Sequence, residues 1–281
     1  MSRSPQNPLT ALAFLFLSLH IIKTIAFGMR FCIINCENSQ AWQPLTFSDM
    51  FYEGLVRDRD RDKWEVCRIA HGDKLPDDID AFNGIVITGS HFNCRDRDTL
   101  PWFEDLCCII KRAAASGTPK IYGGCFGCQV IAAALGGEVD YNPSERFILK
   151  AEDVQIDQEA FVSCLKPSSP LSVPLLKLLA SHGDCVRQLP ESSILLAKSA
   201  TCDNEMFITG SLLNILACQS HPEFDLKYAI MDRIFPSVTS RNRISPDEAE
   251  LSLQTFSQYD GKDAKYMLSL ISHFLHTGSC S

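Results

Sequence analysis

The chain has no excess of positive charge. Its 281 residues carry 26 Lys and Arg against 34 Asp and Glu, which gives a net charge of −8 and a pI near 5.4. A nucleic-acid groove needs a basic surface, so nucleic acid is not expected as a partner. The one dense charge run, residues 57–63, alternates in sign and predicts a solvated loop. An apolar content of 46% is typical of a globular protein.

Motifs for metals, disulfides and glycans are also scarce. Cys125 and Cys128 form a Cys-x-x-Cys with no second such pair, so neither a metal site nor a cofactor is expected. The thirteen cysteines are odd in number and irregular in spacing, and several lie in apolar runs, as Cys67 and Cys107 do. Asn142-Pro143-Ser144 is no glycan acceptor, because proline occupies its middle position. Together these features predict buried free thiols in a reducing compartment, the cytosol.

No apolar run is long enough to span a membrane. The compact stretch at residues 9–19 has eleven residues, whereas a spanning helix needs about twenty. It suits a signal-peptide core better, although only Arg3 supplies a charge before it. Met29 directly precedes the first strand-like segment. We therefore expect residues 1–28 to be an appendage outside the fold, signal-like or lying ahead of the natural start. No stable membrane contact is expected for residues 29–281.

Strand-like and helical segments alternate between residue 31 and Gly137. This alternation predicts an α/β fold with a mostly parallel central sheet and helices on both faces. Ligands of such sheets bind outside the carboxyl ends of the strands. The predicted strands are residues 31–34, 64–69, 85–88 and 120–122, and the first predicted helix is Phe47–Leu55.

The pattern becomes richer in strands after Gly137, which predicts a small β-rich addition. Gly210-Ser211 lies between two apolar runs and predicts a two-residue hairpin turn. Residues 164–174 and 233–246 are predicted to be polar, turn-rich loops. We expect one catalytic domain over residues 29–238 and a helical extension over residues 239–281. The further predicted strands are residues 147–156 and 194–197, and the last helices are residues 248–257 and 262–275.

The most informative segment is Gly123-Gly124-Cys125-Phe126-Gly127-Cys128-Gln129. It follows a short apolar strand and opens an apolar helix, so it places Cys125 on a strand-to-helix turn. Backbone N–H groups and the helix dipole at such a position favour the thiolate, which is the nucleophilic form of cysteine. The small residues allow a sharp turn. The pattern is that of a nucleophile elbow with sulfur in place of a serine oxygen.

A second motif supplies partners for a nucleophile. His221-Pro222-Glu223 follows an apolar, strand-like run. Residues two apart in extended backbone project to the same face, so the Glu223 carboxylate can hold the His221 imidazole. A nucleophile needs a base, and the base needs an orienting group. Cys125, His221 and Glu223 are therefore a candidate catalytic triad.

These two motifs resemble those of the class I glutamine amidotransferase-like hydrolases. Within that group the chain looks most like the plant γ-glutamyl peptidases. The resemblance extends from about residue 29 to about residue 238. Supporting segments are Gly84-Ile85-Val86-Ile87-Thr88-Gly89-Ser90 and Leu189-Pro190-Glu191-Ser192. It implies a flavodoxin-like sheet of the class I glutamine amidotransferase type.

The resemblance also implies roles for residues around the triad. The Gly89 turn and the N–H of Phe126 would form an oxyanion hole, a device worth roughly 3 kcal/mol for each donor. Gln129 would help to hold the glutamyl group, and Ser90 would lie beside it. His182, in a Ser-His-Gly-Asp segment, would lie on a loop at the edge of the site.

Three positions depart from the resembled pattern. Position 124 is Gly where the family has an aliphatic residue, Cys128 stands where its peptidases have His, and Ser220 replaces a Gly. None belongs to the triad. They bear on the packing of the elbow and on the edge of the pocket.

We interpret the sequence as a thiol hydrolase that cleaves γ-glutamyl amide bonds. By resemblance, its substrate is a small γ-glutamyl peptide such as glutathione or its S-conjugates. One alternative is a glutaminase subunit that passes ammonia to a partner synthase, because it would use the same catalytic residues. A second alternative is a binding module that keeps the fold without turnover.

Overall fold

The computed structural model describes residues 28–167 and 174–277. Eleven strands and seven α-helices are found within those residues, together with a π-helix over Leu226–Ile234. In chain order they are β1 (Arg30–Ile34), α1 (Phe47–Leu55), β2 (Lys63–Cys67), β3 (Gly84–Ile87), α2 (Phe103–Ser116), β4 (Lys120–Gly124), α3 (Phe126–Ala134), β5 (Glu138–Tyr141), β6 (Ile148–Ile156), α4 (Gln158–Leu165), β7 (Leu175–His182), β8 (Asp184–Gln188), β9 (Ile194–Ser199), β10 (Met206–Thr209), β11 (Ile215–Cys218), α5 (Phe235–Ser240), α6 (Pro246–Phe256) and α7 (Lys262–His276).

Nine of these strands form one twisted sheet in the order β2-β1-β3-β4-β11-β10-β9-β6-β7. The first five strands run parallel, and the pairs from β11 to β7 are antiparallel. Strands β5 and β8 form a separate two-stranded sheet. The predicted α/β fold class, mostly parallel at its centre with a β-rich addition, is confirmed. The carboxyl ends of β3, β4 and β11 meet at one edge.

The central strands are apolar on both faces because helices cover both. Along β3, Ile85 and Ile87 face one layer while Val86 faces the other. Helices α2 and α3 contribute apolar side chains to the first layer, and α1 and α7 to the second. Such burial on both sides is what a parallel sheet requires. It makes the strand ends rigid supports for a site.

The predicted two-residue hairpin at Gly210-Ser211 is wrong. Strand β10 ends at Thr209 and β11 begins at Ile215, so five residues connect them. The Asn214 side chain is held outside the strand pairing, because its amide donates to the backbone oxygens of Ala113 (2.9 Å) and Pro119 (3.0 Å). This contact with α2 and with the start of β4 overrides the local turn preference.

Two predicted loops are also shorter than expected. Helix α4 continues through Cys164 to Leu165, and residues 168–173 lie outside the described part. Residues 233–246 contain the end of the π-helix and all of α5. Asp225 caps the π-helix by accepting from the Tyr228 N–H (2.7 Å), and Pro236 lies in the first turn of α5, where proline is tolerated.

The cysteines agree with the expectation of free thiols. Twelve are unpaired, and Cys67, Cys107 and Cys218 are buried as predicted. The thirteenth, Cys280, lies outside the described residues, as does most of the appendage over residues 1–28. No helix within residues 28–167 and 174–277 has the length and apolar character needed to cross a membrane.

Candidate active site

Cys125 lies on the sharp turn between β4 and α3, as the sequence predicts. Its backbone has φ 50° and ψ −105°, which is strained for a residue with a side chain. The strain is held by hydrogen bonds: the Cys125 N–H donates to the Cys218 carbonyl (2.8 Å), and the Gln129 N–H donates to the Cys125 carbonyl (3.1 Å). Strain retained at one residue in this way is typical of a functional position.

The glycine at position 127 allows α3 to approach the sheet. A Cβ placed on Gly127 would lie 2.3 Å from the backbone oxygen of Ile87. One on Gly123 would lie 2.4 Å from the Ile131 side chain. Both distances are far below van der Waals contact. Only glycine therefore permits the close packing that aims the helix N-terminus at Cys125.

His221 and Glu223 follow β11 at the same edge of the sheet. Nδ1 of His221 lies 2.8 Å from Oε1 of Glu223, and the two side chains are only 3% and 0% exposed. The Phe224 ring stacks on the imidazole, with centroids 3.9 Å apart and planes 8° from parallel. A Cβ on Gly89 would lie 3.2 Å from Cε1 of His221, so this glycine leaves room for the ring.

His221 and Cys125 both line one cavity, and Glu223 holds Nδ1 of His221, so the structure brings the three predicted triad residues together. Burial alone lowers the pKa of His221. The negative charges of Cys125 and Glu223, with their hydrogen bonds, outweigh it and raise this pKa from 6.5 to about 10. The imidazole therefore holds its proton at neutral pH. A histidine perturbed in this way inside a cavity is a strong sign of a functional site.

Two buried glutamines, Gln129 and Gln219, support the cysteine. The sequence motifs point to Gln129 but not to Gln219. Nε2 of Gln219 donates to Sγ of Cys125 (3.4 Å), while its Oε1 accepts from Nε2 of Gln129 (3.1 Å). Gln129 also donates to the Asp184 carbonyl (3.0 Å) and is buried. The only sequence signal for Gln219 is its place two residues before His221.

Of the two predicted oxyanion groups, Phe126 directly follows Cys125 and Gly89 lies near the His221 ring. The Phe126 N–H is at the first position of α3, where helical amides have no intrahelical acceptor. Gly89 follows β3 and contacts the His221 region. The Ser90 hydroxyl, by contrast, connects its own loop to the segment after β1: it donates to the Cys36 carbonyl (2.7 Å) and accepts from the Phe92 N–H (3.2 Å).

His182 is not on a loop, contrary to the prediction. It is the last residue of β7 and is buried, with Nδ1 3.1 Å from the Asp184 carbonyl and Nε2 3.5 Å from Oγ1 of Thr201. Burial, with the nearby charges of His221 and Lys150, lowers its pKa to about 3. His182 is therefore neutral and forms part of the wall.

The three departures from the resembled pattern have packing explanations. A Cβ on Gly124 would lie 3.1 Å from the Phe51 ring, so that ring fills the space of an aliphatic side chain. Cys128 is fully buried. The hydroxyl and N–H of Ser220 both donate to Glu205, at 2.5 and 2.9 Å. Burial raises the pKa of Glu205 to about 7 despite these bonds.

Several of these groups, with Cys125 and His221 among them, border one cavity of about 370 Å³. Its size is within the range of small-molecule sites. Its wall also contains three arginines that the sequence analysis did not single out, although they lie close together between residues 233 and 243. The predicted site residues on the wall are Ser90, Cys125, Phe126, Gln129, His182 and His221, and the arginines are Arg233, Arg241 and Arg243.

Comparison with known proteins agrees with this geometry. Residues 62–238 match the family described as Glutamine amidotransferase class-I. The chain is 32% identical over 222 residues to γ-glutamyl peptidase 4 of Arabidopsis thaliana, covering 76% of this chain and 82% of that protein. It is 30% identical over 204 residues to γ-glutamyl peptidase 3 of the same plant, covering 69% and 76%.

A solved structure extends the likeness to the whole fold. A glutamine amidotransferase of Thermotoga maritima superposes with a TM-score of 0.66 at 18% identity, covering 89% of this chain and 99% of that one. The resemblance stated from the motifs is thus confirmed. The chain belongs to the class-I glutamine amidotransferase family.

Proposed function

We propose that this protein is a cysteine-dependent hydrolase of γ-glutamyl amide bonds, in which Cys125, His221 and Glu223 form the catalytic triad. The observation that carries the proposal is that Cys125 and His221 line the same cavity while Glu223 lies 2.8 Å from Nδ1 of His221, behind the ring. Nucleophile, base and orienting group are the three parts that acyl transfer requires. No metal or organic cofactor takes part.

In the first step, Sγ of Cys125 attacks the γ-carbonyl carbon of the substrate and a C–S bond forms. The carbonyl oxygen becomes an oxyanion, which accepts hydrogen bonds from the backbone N–H groups of Phe126 and Gly89. His221, protonated because its pKa is near 10, donates its proton to the leaving nitrogen. The C–N bond then breaks, leaving a γ-glutamyl thioester and a free amine.

In the second step, water hydrolyses the thioester. The acylated Cys125 carries no charge, so one of the two anions that raise the pKa of His221 has gone. The imidazole, now neutral, accepts a proton from water while Glu223 holds the ring at Nδ1. The hydroxide attacks the thioester carbonyl, glutamate leaves, and the proton returns to the Cys125–His221 pair.

The likeness to two γ-glutamyl peptidases supports a small γ-glutamyl peptide as substrate, and we propose glutathione or its S-conjugates. A second candidate is a glutaminase subunit that supplies ammonia to a separate synthase, which the family itself favours. Both reactions use the same triad. The leaving group alone distinguishes them.

We propose that residues 29–238 form the catalytic domain and that residues 239–281 extend it. Met267, Ile271 and Phe274 of α7 are buried in the same apolar cluster as Phe31 of β1, which supports one cooperative unit. The twelve free thiols support a reducing, cytosolic setting.

The test is to measure glutamate released from S-methylglutathione and from free glutamine by the purified protein. We expect the peptide to be hydrolysed with the higher kcat/KM. Cys125→Ala should abolish turnover, whereas Cys128→Ala, a fully buried thiol three residues along the same helix, should keep most of it. Turnover that survives Cys125→Ala, or a clear preference for glutamine, contradicts the proposal.

A further inference from the structure

Three arginines line the catalytic cavity, and none of them forms an ion pair with a residue in the described ranges. Arg233, Arg241 and Arg243 all border it. Within the described residues five other arginines form ion pairs with carboxylates, among them Arg95, whose Nε lies 3.0 Å from Asp184. Within residues 28–167 and 174–277, none of the three cavity arginines has a carboxylate within 4 Å. Three cations without a close carboxylate, in a chain of net charge −8, indicate an anionic ligand.

Two of these guanidinium groups are held in place by aromatic rings. Arg243 stacks over Phe147 at 4.1 Å from the ring centre, and Arg233 stacks over Tyr228 at 4.4 Å. Stacking uses the face of a guanidinium and leaves its N–H edge for a carboxylate, which it binds as a planar fork. Arg233 donates through Nη1 and Nη2 to the carbonyls of Asp232 and Gln43, at 3.4 Å each. Its Nε is buried and has no hydrogen-bond partner in the described part of the chain.

Arg241 and Arg243 also repel one another. Burial and the charge of Arg241 lower the pKa of Arg243, and Asp184 offsets this only in part. Like charges placed together are unfavourable unless an anion lies between or beside them. A bound carboxylate would relieve this repulsion.

The segment that carries the arginines lies on the His221 side of the cavity. Phe224, which stacks on His221, belongs to the same apolar cluster as Val238 and Ile244. These two residues flank Arg241 and Arg243 in the chain. Because the general acid must reach the leaving nitrogen, the leaving group occupies this side of the cavity.

We propose that Arg233, Arg241 and Arg243 bind a carboxylate of the leaving group, so that the substrates are γ-glutamyl peptides with a free C-terminal carboxylate. The inference rests on the proposed peptidase function. Ammonia, the leaving group of glutamine, has no carboxylate for these arginines to bind. The cluster would therefore make the enzyme a peptidase rather than a glutaminase.

The experiment compares three probes: S-methylglutathione, its C-terminal amide and free glutamine. The two peptides differ only in the terminal charge, and both share the α-carboxylate of the glutamyl group with glutamine. The variants are Arg243→Gln and Arg241→Gln. The matched control is Arg112→Gln on α2, which pairs with Asp80 (3.5 Å) away from the cavity.

For the natural chain we expect kcat/KM for the free acid to exceed that for the amide by about tenfold or more, the effect of losing a charge-assisted hydrogen bond. Each cavity-arginine variant should lower the value for the acid by a similar factor and leave the amide almost unchanged. Arg112→Gln should change neither. Arg241 and Arg243 are both exposed, so neither replacement should prevent folding, and either variant alone tests the inference.

Calorimetric titration of full-length Cys125→Ala with the acid and the amide gives a readout without turnover, and the acid should bind more tightly. Equal hydrolysis of acid and amide overturns the inference and leaves the proposed function standing. If the arginine variants lose kcat/KM equally for the acid, the amide and glutamine, the arginines bind the glutamyl α-carboxylate, and the inference is overturned as well. Turnover of glutamine with neither peptide hydrolysed refutes the proposed function itself.

Discussion

Replacing Glu223 by Gln removes one charge from the centre of the site and preserves the side-chain shape. Oε1 of Glu223 accepts the hydrogen bond from His221 at 2.8 Å, while Oε2 is buried and has no partner among the residues that the structure describes. In the variant, either the amide NH₂ occupies the place of Oε2 as an unsatisfied donor, or the amide turns and offers a donor to Nδ1. The second arrangement stabilises the wrong tautomer of His221.

The size of the effect follows from the bond that is lost. A buried hydrogen bond to a charged group contributes about 1.5–3 kcal/mol, which corresponds to a rate change of about 10- to 150-fold. The charge of Glu223 is one of two that raise the pKa of His221 to about 10 against the opposing effect of burial. Its removal must lower that pKa.

The assay is kcat/KM for S-methylglutathione hydrolysis as a function of pH. Glu223→Gln should lower the value near pH 7 by one to two orders of magnitude and move the alkaline limb of the profile to lower pH. The matched control is Asp225→Asn, the same chemical change two residues away at an exposed helix cap, where Asn also caps well. An alkaline limb that stays in place refutes the assigned role of Glu223.

The free energy of unfolding should depend on pH through the same histidine, His221. A histidine whose pKa is raised by folding, here from 6.5 to about 10, contributes stability that is complete below pH 6.5 and is lost as pH rises through about 10. Chemical denaturation of the natural chain and of Glu223→Gln should therefore differ most in free energy of unfolding near pH 6, and least near pH 10. A difference that does not change with pH contradicts this linkage.

Two further predictions concern the fold. Gly127→Ala should lower the free energy of unfolding, measured by urea denaturation, by about 3 kcal/mol or more, because its Cβ would lie 2.3 Å from the Ile87 oxygen. The control is Gly183→Ala, whose Cβ would lie 3.8 Å from its nearest described neighbours and should have little effect. Equal effects of the two substitutions would contradict the packing argument. A shortened chain that starts at Met29 should unfold at the same temperature as the full chain and keep full activity, since the sheet partners of β1 are the downstream strands β2 and β3; a large loss of stability would show that the preceding residues complete the core.

Local patterns were sufficient where one element determines the geometry. The run from Gly123 to Gln129 predicts the elbow because glycine spacing and an apolar helix dictate it. The predicted helix Phe47–Leu55 has the predicted ends, since a Thr46 capping box starts it. His221 and Glu223 converge because their spacing of two in extended backbone requires it.

Local sequence patterns do not predict the contacts that depend on segments far apart in the chain. The contact of Gln219 with Cys125 depends on β4 and β11 lying side by side, which no single segment encodes. The residues that flank His182 favour a turn and predict a loop. In the structure, the pairing of β7 with β6 makes His182 the end of a strand. Arg233 lies in the π-helix, and Arg241 and Arg243 follow α5, whose polar composition predicts a loop.

The most direct test of the central claim is to trap the γ-glutamyl thioester. The protein is mixed with S-methylglutathione, quenched with acid during turnover and digested for mass spectrometry, both as the natural chain and as His221→Ala. We expect one glutamyl group on the peptide that contains Cys125, released by hydroxylamine, and none when Cys125 is replaced by Ala. A glutamyl group on any other cysteine, or hydrolysis that proceeds with no covalent adduct under any quench time, would contradict Cys125 as the nucleophile.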